Sequence, residues 1–154
     1  MANTQVLKQQ VEDYVREELG RRYRVSFEKK RLPLPGAENP IGDHEFDAVA
    51  VDRSVVAGVI SSAPKTSGGR RNTGAVHHAT GELYYLSLVA ASHRILVCTN
   101  EGFRELMESV MKGRLAKGLE IAHVPLPADL NKLAEEARLR ASNEMSRDQT
   151  PRSS

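Results

Sequence analysis

The residues best suited to chemistry fall into separate groups along the chain. Asp47 follows His44-Glu45-Phe46 and heads the apolar alternation Ala48-Val49-Ala50-Val51. Asp is disfavoured inside strands, so its place there points to the edge of a site. The segment Lys65-Thr66-Ser67-Gly68-Gly69-Arg70-Arg71-Asn72-Thr73-Gly74 sets cations and flexible amides just ahead of a helix start, where free N–H groups and the helix dipole attract phosphate. It lacks the Gly-Lys-Thr or Gly-Lys-Ser ending of a P-loop, so an ordinary solvated loop is the competing reading. Arg21, Arg22, Arg24, Lys29, Lys30 and Arg31 form a second basic cluster around the first strand. They suit a nucleic-acid backbone if they share one face, or serve as cations at a helix C-terminus. His77 and His78 are adjacent, so on a helix they point about 100° apart and cannot chelate together. His78 and Glu82, at helical spacing, could share a metal but lack a third ligand. The sequence contains no Gly-x-Ser-x-Gly nucleophile turn.

These groups need a scaffold, and hydrophobic spacing outlines it. Leu7, Val11, Tyr14, Val15 and Leu19 recur at helical spacing, with Thr4 as N-cap and Gly20 as stop. Tyr23 to Phe27 alternates as a strand, and the prolines of Leu32-Pro33-Leu34-Pro35-Gly36 through Asn39-Pro40 mark a long loop. His44 to Val51 and Val55 to Ile60 form two antiparallel strands around Asp52-Arg53-Ser54. Val76, Ala79, Leu83, Leu86 and Ala90 stripe a helix from about Gly74 to Val89. It also carries Tyr84 and Tyr85, one expected inward and the other towards solvent or a partner. Ile95 to Cys98 is a central strand, and Thr99 or Asn100 caps a helix bearing Phe103, Leu106, Met107 and Val110. Leu119 to Val124 is a further strand, and Asp129 caps a last helix with Leu130, Leu133 and Ala137 inward. The order α, β, β, β, α, β, α, β, α predicts an α/β fold with a mixed sheet flanked by helices. No strand leads into a Gly-x-Gly-x-x-Gly turn, which argues against a dinucleotide-binding fold.

A chain of 154 residues, 40% hydrophobic, suits one core rather than two. A net charge of +2 is too balanced for a surface that binds polyanions everywhere, so any nucleic-acid affinity must come from local clustering. Cys98, the only cysteine, excludes an internal disulfide and fits a reducing, cytoplasmic setting. No run approaches the ~18 apolar residues that span a bilayer, and no basic segment followed by an apolar core opens the chain. No membrane partner is expected.

From roughly Thr4 to Cys98 the order helix, three antiparallel strands, helix, strand resembles the common core of the PD-(D/E)XK nuclease superfamily, the restriction-endonuclease-like fold. His44-Glu45-Phe46-Asp47 looks like that family's first motif, and Asp47 matches its metal-binding Asp. The resemblance implies an acid-x-Lys pair within Val55 to Ser62, and the expected register puts Gly58 at the acid and Ile60 at the lysine. Neither can do that chemistry. In such sites two carboxylates hold Mg²⁺ against a phosphate oxygen and an attacking water, while the lysine orients that water.

The resemblance thus implies a single nuclease-like domain over residues 1–141, with a disordered tail over 142–154. Having lost catalysis, it would act as a DNA-binding or protein-interaction module through Lys65, Arg70, Arg71, Arg21 and Arg22, with no cofactor. The alternative is a Mg²⁺-dependent DNA endonuclease whose acid and lysine have moved to Glu82 and Lys65 beside Asp47; Glu12 or Glu18 are other acids able to approach. A scaffold whose helices build a homo-oligomer would instead show an exposed apolar patch and no basic groove.

Overall fold

In the computed structural model, which describes residues 2–38 and 42–148, helix α1 (Ala2–Tyr23) turns Val11, Val15 and Leu19 into the core at helical spacing. It does not stop at Gly20. A Cβ there would stand 3.3 Å from the Val25 carbonyl oxygen, so this glycine lets the returning chain lie close to the helix. Arg24, at φ 57°, turns the chain, and the strand expected over Tyr23 to Phe27 begins where that expectation ends: β1 spans Phe27–Pro33. Because β1 is an edge strand, Pro33 sits opposite Asp43 although it has no N–H to donate. Asn39 and Pro40 of the expected loop lie outside the described residues.

The chain continues through β2 (Asp43–Ala50), β3 (Val55–Ile60), α2 (Thr73–Leu88), β4 (His93–Cys98), α3 (Glu101–Val110), β5 (Leu119–His123) and α4 (Ala128–Asp148). The result is an α/β fold with a five-stranded mixed sheet whose strands lie in chain order. β1, β2 and β3 are antiparallel neighbours, whereas β3, β4 and β5 are parallel. Parallel neighbours need crossovers, and α2 and α3 supply them. Leu83 and Leu86 of α2 and Phe103 and Met107 of α3 pack with Phe46, Val56 and Leu96 on one face. Val15 and Leu19 of α1 pack with Ala48, Ala57 and Ile95 on the other. Covered on both faces, β3 and β4 read as continuous apolar runs. Asn72 and Asn100 cap α2 and α3, their side chains accepting from the Ala75 and Phe103 N–H groups.

The last helix departs most from expectation. Leu130 and Ala137 are partly buried as expected, but Leu133 is 46% exposed and Ala134 takes the buried position between them. α4 also runs past Ser142 to Asp148, over a stretch with no glycine or proline to break it; residues 149–154 lie outside the described ones. Among the described residues no helix is long and apolar enough to cross a membrane.

Candidate functional site

β2 and β3 pair at Ala48 with Ala57 and at Val49 with Val56, and part beyond. Asp47 sits at that fork. Its Oδ2 accepts the Val59 N–H at 2.8 Å, and its main-chain carbonyl accepts from Arg16 Nη1 at 2.7 Å. Glu12 of α1, 3% exposed, approaches it from above the sheet. Burial first, then the Asp47 charge and hydrogen bond, hold the Glu12 carboxyl above its ordinary range. Lys29 opposes that shift with its Nζ 3.4 Å from Glu12 Oε2.

The structure places the side chains of β3 one register away from the sequence expectation. Val56 and Ile60 belong to the α2 face, Ala57 and Val59 to the α1 face. Gly58 also faces α2, where an added Cβ would lie 3.1 Å from Glu82 Oε2. Gly58 therefore points away from the Glu12–Asp47 pair, and Ile60 packs into the core on the α2 face. Val59 and Ser61 line a cleft with Glu12, to which Ile60 and Ser62 also contribute. The cause lies in β2, where Phe46 and Val49 both reach the α2 face although three residues apart. One extra residue at Asp47-Ala48 breaks the alternation, and a single slip exchanges the two faces.

Glu82, expected beside Asp47, stays on the opposite face. Its Oε1 is 3.2 Å from His44 Nε2, and the His44 ring stacks on Tyr85 at 4.1 Å. Tyr84 is the solvent-facing tyrosine, at 61% exposed. Glu82 thus pairs with His44 rather than His78, and it does not complete a site at Asp47. Of the two acids on α1, Glu12 approaches and Glu18 does not, because Glu18 engages Arg21 and Arg22.

The cations separate in the same way. Around β1, Lys29 meets Glu12 and Glu45, Lys30 meets Glu28, and Arg31 meets Asp43, while Arg21 and Arg22 share Glu18. That cluster is largely neutralised from within. Lys65 makes no hydrogen bond or ion pair with Asp47 among the described residues and lies in a small hairpin, paired with Arg71 through a β-bridge. Thr66 N–H donates to Arg70 O at 2.7 Å, Gly69 N–H to Thr66 O at 2.9 Å, and Asn72 N–H to Pro64 O at 3.0 Å. Gly69 adopts φ 79°, which its lack of Cβ allows. The hairpin leaves Lys65, Arg70 and Arg71 exposed, and none of them forms an ion pair among the described residues.

Beside it, α1, α2 and α4 close on the end of β3 around a cleft of about 380 Å³. This lies at the carboxyl end of a strand where antiparallel pairing gives way to parallel, the kind of place where open α/β sheets hold ligands. A resident Mg²⁺ fits the present donor set poorly. It would need ionised oxygens free to turn to it, yet the Glu12 carboxyl is held above its ordinary range, Asp47 Oδ2 holds the Val59 N–H, and Lys29 already answers Glu12. Among the described residues, no group of three His, Cys, Asp or Glu side chains stands ready for one ion. Sequence reasoning counted Lys29 only within the basic cluster and passed over Arg138. A usable signal for the first was Glu12 on the stripe Lys8, Glu12, Val15, Leu19, a carboxylate on a buried helix face that calls for a partner. No family model, curated protein or solved structure matches the chain.

Proposed function

We propose that the protein is a nuclease-like domain, similar in element order to the PD-(D/E)XK core, that binds a nucleic-acid backbone without cutting it. The order α1 to β4 and the position of Asp47 at the β2–β3 fork support the likeness. Val59 and Ser61, the positions on the Asp47 side of β3, supply neither a carboxylate nor an ammonium, which supports the loss of hydrolysis. The observation that carries binding is the hairpin over residues 65–71: its cations stand exposed and without ion pairs among the described residues, whereas those around β1 are internally answered.

Such a contact is read through its salt dependence, about −0.9 in log–log slope per duplex phosphate neutralised. Filter binding of duplex and single strands at low and higher salt is expected to show affinity that falls with salt. Replacing Arg70 and Arg71 by Ala together should lower the slope by roughly 2. The reading fails if no strand binds. Its silent-site half fails if purified protein nicks supercoiled plasmid with Mg²⁺ or Mn²⁺ and Asp47→Ala abolishes the nicking.

A further inference from the structure

The cleft at the end of β3 contains groups that neither the carboxyl pair nor the hairpin uses. Arg138 enters from α4, one turn after buried Ala134, and donates from Nη1 to the Ser61 carbonyl at 2.6 Å. A guanidinium offers five N–H donors, and no carboxylate stands within ion-pair distance of this one among the described residues. Burial works against its charge, with Glu135 of the same helix in partial compensation. A part-buried cation lacking a direct counter-ion is stabilised when an anion binds it.

Other elements supply matching groups. Lys8 arrives from α1, one turn before Glu12, and His78 from α2; neither makes a hydrogen bond or ion pair among the described residues. Ser61 and Ser62 line the same space. Glu12, the one carboxylate in the lining, is met by Lys29 and its carboxyl is held above the ordinary range, so it opposes an incoming anion less than a free carboxylate would.

We infer that this cleft is a phosphate site, with Arg138 as principal donor, Lys8 as second charge, and His78, Ser61 and Ser62 as hydrogen-bonding walls. The ligand is a phosphate oxygen bearing negative charge, from a backbone phosphodiester or from a phosphomonoester. Only the first source rests on the nucleic-acid reading above.

The test is ¹⁵N NMR titration of the full chain with inorganic phosphate, and separately with a short DNA duplex, on wild type, Lys8→Gln and Arg138→Gln. Phosphate is expected to shift the Ser61, Ser62 and His78 amides saturably. Lys8→Gln should weaken it roughly three- to tenfold, as loss of one charge-assisted contact does, and Arg138→Gln should abolish it. Arg138 also anchors the end of β3 through Ser61, so exposed Lys8 is the variant that leaves the fold untouched. The site is overturned if phosphate moves none of these amides, or if Lys8→Gln binds it as wild type does. If both variants lose inorganic phosphate but bind duplex unchanged, the hairpin reading stands, the backbone source is removed and the site is kept for a phosphomonoester. Phosphate binding that the variants lose, in a protein without duplex affinity, keeps the site for a phosphomonoester and removes the backbone reading.

Discussion

Asp47 holds two partners at once, and two substitutions separate them. Asp47→Ala leaves the Val59 N–H without its acceptor, which costs about 1–3 kcal/mol for a group removed from solvent. It also removes a like charge from beside Glu12, so the net loss at neutral pH should fall in the lower half of that range. Asp47→Asn keeps an oxygen for the Val59 N–H and turns an amide donor towards the Glu12 carboxylate. Its expected stability at neutral pH is equal to or above that of wild type.

The pH dependence has a definite sign. The folded state holds the Glu12 proton more tightly than the unfolded chain does. This contribution is therefore fully present below the ordinary value of 4.5 and is lost as pH rises through the raised folded value. Burial is the first cause and remains in Asp47→Asn; the neighbouring charge is the second and disappears. Urea unfolding followed by circular dichroism, from just below 4.5 to neutrality, should give a shallower decline for Asp47→Asn than for wild type. Equal destabilisation by Asn and Ala would refute the role given to the Val59 bond. An Asn profile as steep as wild type would refute the coupling to Glu12. Added Mg²⁺ should leave the wild-type midpoint unchanged; a rise that Asp47→Asn abolishes would instead make the pair a metal site.

The core supplies further tests. Burial pushes the Cys98 thiol up to about 12, so the folded protein should not react with a thiol-specific disulfide reagent at neutral pH and should react fully once unfolded in urea. Arg94 donates from Nη1 to Leu86 O at 3.1 Å and Ser87 O at 3.0 Å, and from Nη2 to Lys117 O, tying the end of α2 to the approach to β5. Arg94→Ala should cost about 2–4 kcal/mol in urea unfolding. Arg94→Lys should recover little of it, because one ammonium cannot reach both ends of that span.

How much of this fold was legible in the sequence depended on how many neighbours each segment has. β3, β4 and the helices packed over them carry unbroken apolar runs or stripes, because both faces or one whole side are covered. The start of α3 can be read from Asn100, whereas the Asn72 cap of α2 lay inside the basic loop and was not read as one. β1 has solvent along its open edge, and Glu28, Lys29 and Arg31 are exposed while only Leu32 is fully buried. No period of two survives there, so the real alternation at Tyr23 to Phe27 misled. Asp47 was legible through its oddity in a strand. Its partner Glu12 was legible only as one of two acids, and choosing it required weighing the stripe on which it lies.

The extra residue in β2 was not legible at all, since it exists only in relation to the strand beside it. Its consequence is narrow but decisive for experiment. Gly58 with Ile60, and Val59 with Ser61, equally lack acid and lysine, so the slip leaves the inference of a silent site unchanged. It changes where the missing groups would have to be restored. A carboxylate introduced at Gly58 would press on Glu82, whose Oε2 lies 3.1 Å from the first added carbon, on the face that Asp47 does not reach. At Val59 the new side chain would extend from the very residue whose N–H Asp47 holds, towards the cleft that Glu12 lines.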